Sequence, residues 1–328
     1  MTAELGVSKQ NLLVLVGPTA VGKTQLSIEL AKSLNAEIIS GDSMQVYLGM
    51  DIGTAKITPA EMEGVPHHLI NVMEPDDVFS VARFQEDCAT LIPNISSRGH
   101  LPFIVGGTGL YVESVCYEYQ FSEASADEAF RQEQQQYAEQ FGAEALHAKL
   151  ALIDPVAAVR LHPNDQRRVI RALEVYHLTG ITFTAQQEGQ SKVSPYNLCI
   201  VGLTMDRQLL YNRIEKRIDL MLEQGLVREV KSLLDKGYTR ELISMRGLGY
   251  KEIIEHLEDG VPIEEAIYKL KRDTRHFAKR QLSWFRHMKD INWVDVTDTE
   301  NFRDHLSKIH AIIAGKFEVS LEYNYKHY

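Results

Sequence analysis

The first apolar cluster of the chain is Leu12 to Val16, a short aliphatic run that reads as a strand. A polar, glycine-bearing stretch from Gly17 to Thr24 follows, and then Leu26, Ile28, Leu30, Ala31 and Leu34 recur at the spacing of an amphipathic helix. A second strand, Ala36 to Ser40, ends at Gly41-Asp42-Ser43. A buried strand, Phe103-Ile104-Val105, runs into Gly106-Gly107-Thr108-Gly109, and Leu198, Ile200 and Leu203 mark another strand within Tyr196 to Thr204. Strands alternating with helices predict an α/β fold with a parallel sheet.

The pattern changes from about Phe121 to Gly189. This stretch is rich in Gln, Glu and Ala, carries helical spacing such as Val169, Leu173 and Tyr176, and shows no convincing strand. It predicts an all-helical insertion, residues 121–189, in a core made of residues 1–120 and 190–328. From Asp206 the pattern is helical again, with Ile214, Ile218, Met221 and Leu222 on one stripe. Glu264 to about Met288 reads as a long basic helix. There is no internal repeat and no low-complexity linker.

Composition narrows the class. With 328 residues, 44% hydrophobic and 24% charged, the chain is globular rather than collagenous, coiled-coil or disordered. A net charge of -10 excludes a uniformly basic nucleic-acid binder but leaves room for a local basic face. The charge is indeed uneven. Between Glu37 and Asp87 ten acids face only Lys56 and Arg83, whereas between Ile267 and Asp290 eight bases face only Asp273 and Asp290. Arg160, Arg167, Arg168 and Arg171 form a smaller basic cluster. Such asymmetry fits either a polyanion partner or a solvated helix face. Cys88, Cys116 and Cys199 are far apart and make no Cys-x-x-Cys pair, which argues against a disulfide framework or a zinc ribbon. The first ten residues lack a secretory pattern, and the apolar run near the start is far short of the ~20 residues that span a bilayer. A cytoplasmic protein with no membrane partner is expected.

The chemistry starts at Gly17-Pro18-Thr19-Ala20-Val21-Gly22-Lys23-Thr24, which satisfies the phosphate-loop pattern G-x-x-x-x-G-K-[ST] in full. Backbone N–H groups and a helix N-terminus provide partial positive charge there. Lys23 adds a full charge for terminal phosphate oxygens, and the Thr24 hydroxyl suits Mg²⁺. The Asn-Lys-x-Asp base reader of GTPases is absent. Asp42, at the carboxyl end of a strand, belongs to the ligand crevice of an open α/β sheet, as a base or an indirect metal ligand. Gly106 to Gly109 bring further amides to that crevice or simply make a tight turn. His67 and His68 lack metal-ligand spacing and are expected to be structural. Tyr268, Trp284 and Phe285 on the basic helix are expected to pack rather than to stack on bases.

Several segments together resemble the tRNA dimethylallyltransferases. They are Gly17 to Thr24, Asp42-Ser43-Met44-Gln45-Val46-Tyr47, Ile52-Gly53-Thr54-Ala55-Lys56, Pro66-His67-His68-Leu69 and Gly106-Gly107-Thr108-Gly109-Leu110-Tyr111. Asn164-Asp165, Arg168, Arg171-Ala172-Leu173-Glu174, Ala278-Lys279-Arg280-Gln281, Trp284 and Phe285-Arg286 complete the set. The resemblance spans nearly the whole chain and lacks the C-terminal zinc finger of eukaryotic relatives, which indicates the bacterial form.

The resemblance implies a P-loop NTPase-like parallel sheet core. It implies transfer of a dimethylallyl group from its diphosphate to the exocyclic amine of the adenine 3′ of the tRNA anticodon, position 37. Dimethylallyl diphosphate and the anticodon stem-loop would be the partners, Mg²⁺ the cofactor and a monomer the working state. The loop would cradle the diphosphate leaving group, with Lys23, Thr24 with Mg²⁺, and an arginine stabilising its charge. Of Arg213 and Arg217, four apart on one helix face, the resemblance favours Arg217. Asp42 would be the base. Asp42, Ser43, Met44, Gln45, Thr108, Arg131, Gln166, Arg167, Arg168, Val169 and Ile170 would contact the RNA. A small-molecule P-loop kinase, an adenylate isopentenyltransferase and a non-catalytic RNA binder remain the alternatives.

Overall fold

Aliphatic runs such as Leu12–Val16 need cover on both faces, and a parallel sheet flanked by helices supplies it. The computed structural model describes residues 9–120, 127–189 and 193–317. Most of the first ten residues, and Phe121 and Gln190 at the expected segment boundaries, lie outside them. By its contacts the chain divides into two units, Met1–Glu118 with Ser194–Tyr328, and Tyr119–Val193.

The first unit holds β1 (Asn11–Val16), β2 (Ala36–Gly41), β3 (His67–His68), β4 (Leu101–Gly106), β5 (Asn197–Thr204) and β6 (Ile291–Asp295). They form one sheet in the order β3-β2-β4-β1-β5-β6, with every neighbouring pair parallel. Among its helices, α1 (Lys23–Leu34), α2 (Pro59–Met62), α3 (Val81–Ser97) and α4 (Gly109–Cys116) come first. The second unit is helical among its described residues: α5 (Glu128–Phe141), α6 (Ala143–Ile153), α7 (Pro155–Arg160), α8 (Gln166–Thr179) and α9 (Phe183–Glu188). The chain then returns to the first unit with α10 (Arg207–Gln224), α11 (Leu226–Asp235), α12 (Tyr250–Asp259), α13 (Ile263–His287) and α14 (Phe302–Phe317).

The core of the first unit is the sheet itself, with Leu12, Val14, Ile39, Phe103 and Ile104 fully buried. From β1 the chain passes to β2 on one side, and from β4 it later crosses to β5 on the other. The carboxyl ends of β1, β2 and β4 therefore border the crevice expected at such a reversal of strand order. Two glycines let the loops leaving β2 and β4 touch. Gly41 pairs with Gly106, and a Cβ on Gly106 would run into the Gly41 backbone. The Thr108 N–H consequently reaches the Gly41 carbonyl at 3.2 Å.

The second unit packs Leu146, Leu150, Ala157, Val169 and Ala172 into its own core. Two buried acids organise it. Asp154 accepts from the N–H groups of Ala157 and Thr184, at 2.9 and 2.8 Å, capping α7 and fastening α9. Glu174 is held by Arg131 and Arg171 at 2.8 and 2.7 Å and also accepts from the Asp127 N–H.

Candidate active site

The phosphate loop joins β1 to α1. Gly22 caps the helix at φ 110°, a conformation an L side chain rarely adopts, and Ala20 also has a positive φ, 64°. Lys23 begins α1 and donates from Nζ to the carbonyls of Gly17 and Pro18, at 2.9 and 2.8 Å. Val21 packs into the core, leaving Thr19, Ala20, Gly22, Lys23 and Thr24 on the wall of a cleft of about 740 Å³.

Helix α10 supplies two arginines to this loop. Arg213 Nε donates to the Ala20 carbonyl at 2.8 Å, and Arg217 Nη1 approaches Thr19 Oγ1 at 3.5 Å. Opposite them stands Asp42 at the end of β2, whose Oδ1 accepts from the Met44 N–H at 2.8 Å. Burial pushes the Asp42 carboxyl above its usual range, against the pull of the Met44 N–H, Lys23, the Gln45 N–H and Arg217. Burial drives the Lys23 ammonium the other way, down to about 7, with help from Arg217 and opposition from Asp42. Arg217 is likewise lowered by burial and by Arg213. Perturbations of opposite sense on an acid and a base in one cleft mark it as a candidate site.

Ser43, Met44, Gln45 and Thr108 line the same cleft. The Ser43 N–H donates to Thr108 Oγ1 at 3.1 Å, and Gln45 accepts from Ser40 Oγ at 3.2 Å. Val105, Leu220, Met221, Leu248 and Phe277 add apolar wall. The oxygen donors include Thr24, Asp42 and Ser43. Among the described residues no three His, Cys, Asp or Glu side chains gather where they could hold a metal. A sparse oxygen set still suits Mg²⁺, which keeps much of its shell in water and phosphate oxygens.

Some of the wall was not legible in the sequence. Glu229 of α11 accepts from three successive N–H groups, Asp51, Ile52 and Gly53, at 3.0, 2.7 and 3.0 Å, and from the Tyr250 hydroxyl at 2.7 Å. This grip positions the Gly53-Thr54-Ala55 wall, and Lys56 fastens its far end through Asp51 and Asn71 at 2.7 and 2.6 Å. Glycine is needed at position 53 because the Tyr250 ring occupies the space of a Cβ. Gln281, noted in the sequence only as part of a motif, bonds to both the phosphate loop and the turn after β4.

Other expectations change. Val169 and Ile170 are packed into the core of the second unit, so their side chains are not available to RNA; Gln166 is half-buried, and Arg167 and Arg168 are exposed. Arg131 is engaged by the buried Glu174 and by Glu128. On α13, Lys269, Lys271, Arg272 and Arg275 pair with Glu255 and Glu265, Asp219, Asp273 and Glu215, which neutralises much of the basic helix internally. Phe285 is core, Trp284 donates to Glu113 at 2.9 Å, and Tyr268 remains exposed. His67 bonds to the Val65 carbonyl and His68 to Glu37, at 2.8 and 2.7 Å. No described helix is long and apolar enough to cross a membrane.

The chain is similar to known proteins along most of its length. The profile of the family described as IPP transferase matches residues 45–288. A tRNA dimethylallyltransferase of Bacillus velezensis is 53% identical over 311 residues, 95% of this chain and 99% of that protein. The full-length tRNA isopentenylpyrophosphate transferase of Bacillus halodurans superposes with a TM-score of 0.73 at 52% identity, covering 94% of this chain and 97% of that one. A eukaryotic dimethylallyltransferase acting on tRNA superposes with a TM-score of 0.80 at 32% identity, covering 94% and 79%.

Proposed function

This chain belongs to the IPP transferase family, and from that premise we propose that it transfers a dimethylallyl group from dimethylallyl diphosphate to the exocyclic amine of adenine 37 of tRNA. The observation that carries the reading is the meeting of Lys23, Arg213 and Arg217 with Asp42 in one cleft. As the allylic C–O bond breaks, its electron pair leaves on the diphosphate, and fixed cations stabilise that charge. The adenine amine forms the new N–C bond, and its proton passes to Asp42, whose raised affinity for protons favours the transfer. Thr24, with Asp42 nearby, would hold Mg²⁺, which when bound adds further charge against the diphosphate. The target base must leave the stack of the anticodon loop to enter the cleft.

Incubation with isotopically labelled dimethylallyl diphosphate, offering unmodified tRNA, AMP or ATP, tests this directly. Label should enter tRNA alone. Label in AMP would mean a free-nucleotide prenyltransferase, and phosphoryl transfer from ATP a kinase. The proposed working state is a cytoplasmic monomer.

In the second unit, Gln166, Arg167 and Arg168 at the start of α8 are the proposed contacts with the anticodon stem-loop. Arg167→Ala with Arg168→Ala should weaken tRNA binding. The change should also flatten the salt dependence by roughly one unit of slope per lost phosphate contact. Diphosphate binding should persist. An unchanged slope in filter binding would assign both arginines to folding, Arg168 through its 3.4 Å pair with Asp165.

A further inference from the structure

Gln281 lies on α13, is only 7% exposed, and uses both ends of its amide. Oε1 accepts from the Thr19 N–H at 2.8 Å, and Nε2 donates to the Gly107 carbonyl at 2.9 Å. Thr19 belongs to the phosphate loop, and Gly107 to the turn after β4. Each end leads to a group that faces the cleft. Thr19 Oγ1 lies beside Arg217, and Thr108, next to Gly107, accepts from Ser43 beside Asp42. The fit is tight, because the Gln281 amide fills the space that a Cβ on Gly107 would need.

The partners also restrict the residue type. The Thr19 N–H requires an acceptor and the Gly107 carbonyl a donor, and an uncharged amide carries one of each on a single plane. An apolar residue would leave the part-buried Thr19 N–H and the buried Gly107 carbonyl without this partner. A lysine would leave the N–H unmet, and an ionised carboxylate would face the carbonyl with like charge. The Thr19 amide is thereby committed to the protein, so the anion-binding capacity of the loop rests on its other N–H groups and on Lys23.

We propose that Gln281 is a positioning residue that holds the phosphate loop and the Thr108 turn at one separation, keeping the diphosphate side and the Asp42 side of the cleft in register. The proposal rests on the transfer reading above. A displacement of about 1 Å at a reacting geometry costs on the order of 10²-fold in rate. Gln281→Leu should accordingly lower kcat by about 10- to 10²-fold and raise KM for dimethylallyl diphosphate several-fold, while tRNA affinity stays put.

Gln281→Glu is the sharper probe. Its protonated carboxyl restores both bonds, accepting from Thr19 and donating to Gly107, whereas its ionised form repels the carbonyl. Burial favours the protonated form of that carboxyl and shifts its titration above the ordinary ~4.3, and its protonated fraction grows as pH falls. The ratio of Gln281→Glu to wild-type kcat/KM should therefore climb as pH falls from about 8.5 to about 5.5, while the ratio for Gln281→Leu stays flat. Wild-type kinetics in Gln281→Leu, or a Gln281→Glu ratio that does not rise toward acid, would overturn the proposal; should Gln281→Leu fail to fold, the Gln281→Glu ratio decides alone. Absence of transfer by the wild-type chain itself would instead remove the reading beneath it.

Discussion

Asp42→Asn is expected to lower single-turnover transfer to tRNA by about 10²- to 10⁴-fold, the range general-base catalysis commonly supplies. Asparagine keeps the shape of the side chain and an oxygen for the Met44 N–H, but loses the charge and the proton acceptor. An adenine amine, its lone pair delocalised into the ring, needs that acceptor as the N–C bond forms. Affinity for dimethylallyl diphosphate should be nearly intact at acid pH, where Lys23 stays charged. A secondary loss is expected to set in below about pH 7 and to persist above it, because without Asp42 the Lys23 ammonium gives up its proton at a lower pH. A carboxylate that served chiefly Mg²⁺ would behave differently. Diphosphate affinity and rate would then fall together and recover together as Mg²⁺ is raised. Measuring both across a Mg²⁺ titration separates the cases, and joint recovery would sink the base assignment.

Removal of the Lys23 ammonium should cost roughly 2 to 4 kcal/mol of transition-state stabilisation, by analogy with lost oxyanion donors. That corresponds to about 30- to 10³-fold in kcat/KM for the diphosphate, with tRNA affinity little changed. The pH profile carries a second signature. Lys23 titrates near 7 in the free protein, and its charge is present below that value and lost above it. Wild-type kcat/KM should therefore fall as pH rises through about 7 and also fall at acid pH as Asp42 becomes protonated, giving a bell. Bound diphosphate raises the affinity of Lys23 for its proton, so the alkaline limb of kcat should lie at higher pH. Lys23→Ala should lose the alkaline limb altogether. A profile with that limb intact in the variant would assign it to another group.

The basic α13 shows where sequence reading stops. Its length was legible, since Glu264 to about Met288 became Ile263–His287, and the apolar spacing that faces the core is periodic. Its charge is partly engaged within the protein. Lys271 and Arg275 meet Asp219 and Glu215 of α10, acids more than fifty positions away that no local window connects to them. Arg131 is a similar case, because its partner Glu174 lies 43 positions on and is buried only once the second unit has formed. For Val169 and Ile170 the helical stripe already held the answer, since both fall on the apolar face with Leu173.

By itself the sequence determined the strand, phosphate loop and helix at Asn11–Leu34, the strand that delivers Asp42, the parallel α/β class and the family. Each of these depends on backbone conformations and periodicities contained in a few consecutive residues, such as the positive φ at Gly22 or an unbroken aliphatic run. Only the tertiary structure decided what surrounds Lys23 and Asp42. Arg213 reaches the phosphate loop across 193 positions, Gln281 across 262, and Glu229 reaches Gly53 across 176. The spacing of residues along a chain carries no record of such pairs, because they are set by how α10, α11 and α13 pack with their neighbouring helices in the assembled first unit. The perturbed protonation of Lys23 and Asp42 follows from that same packing, since burial is a property of the assembled cleft and not of either residue.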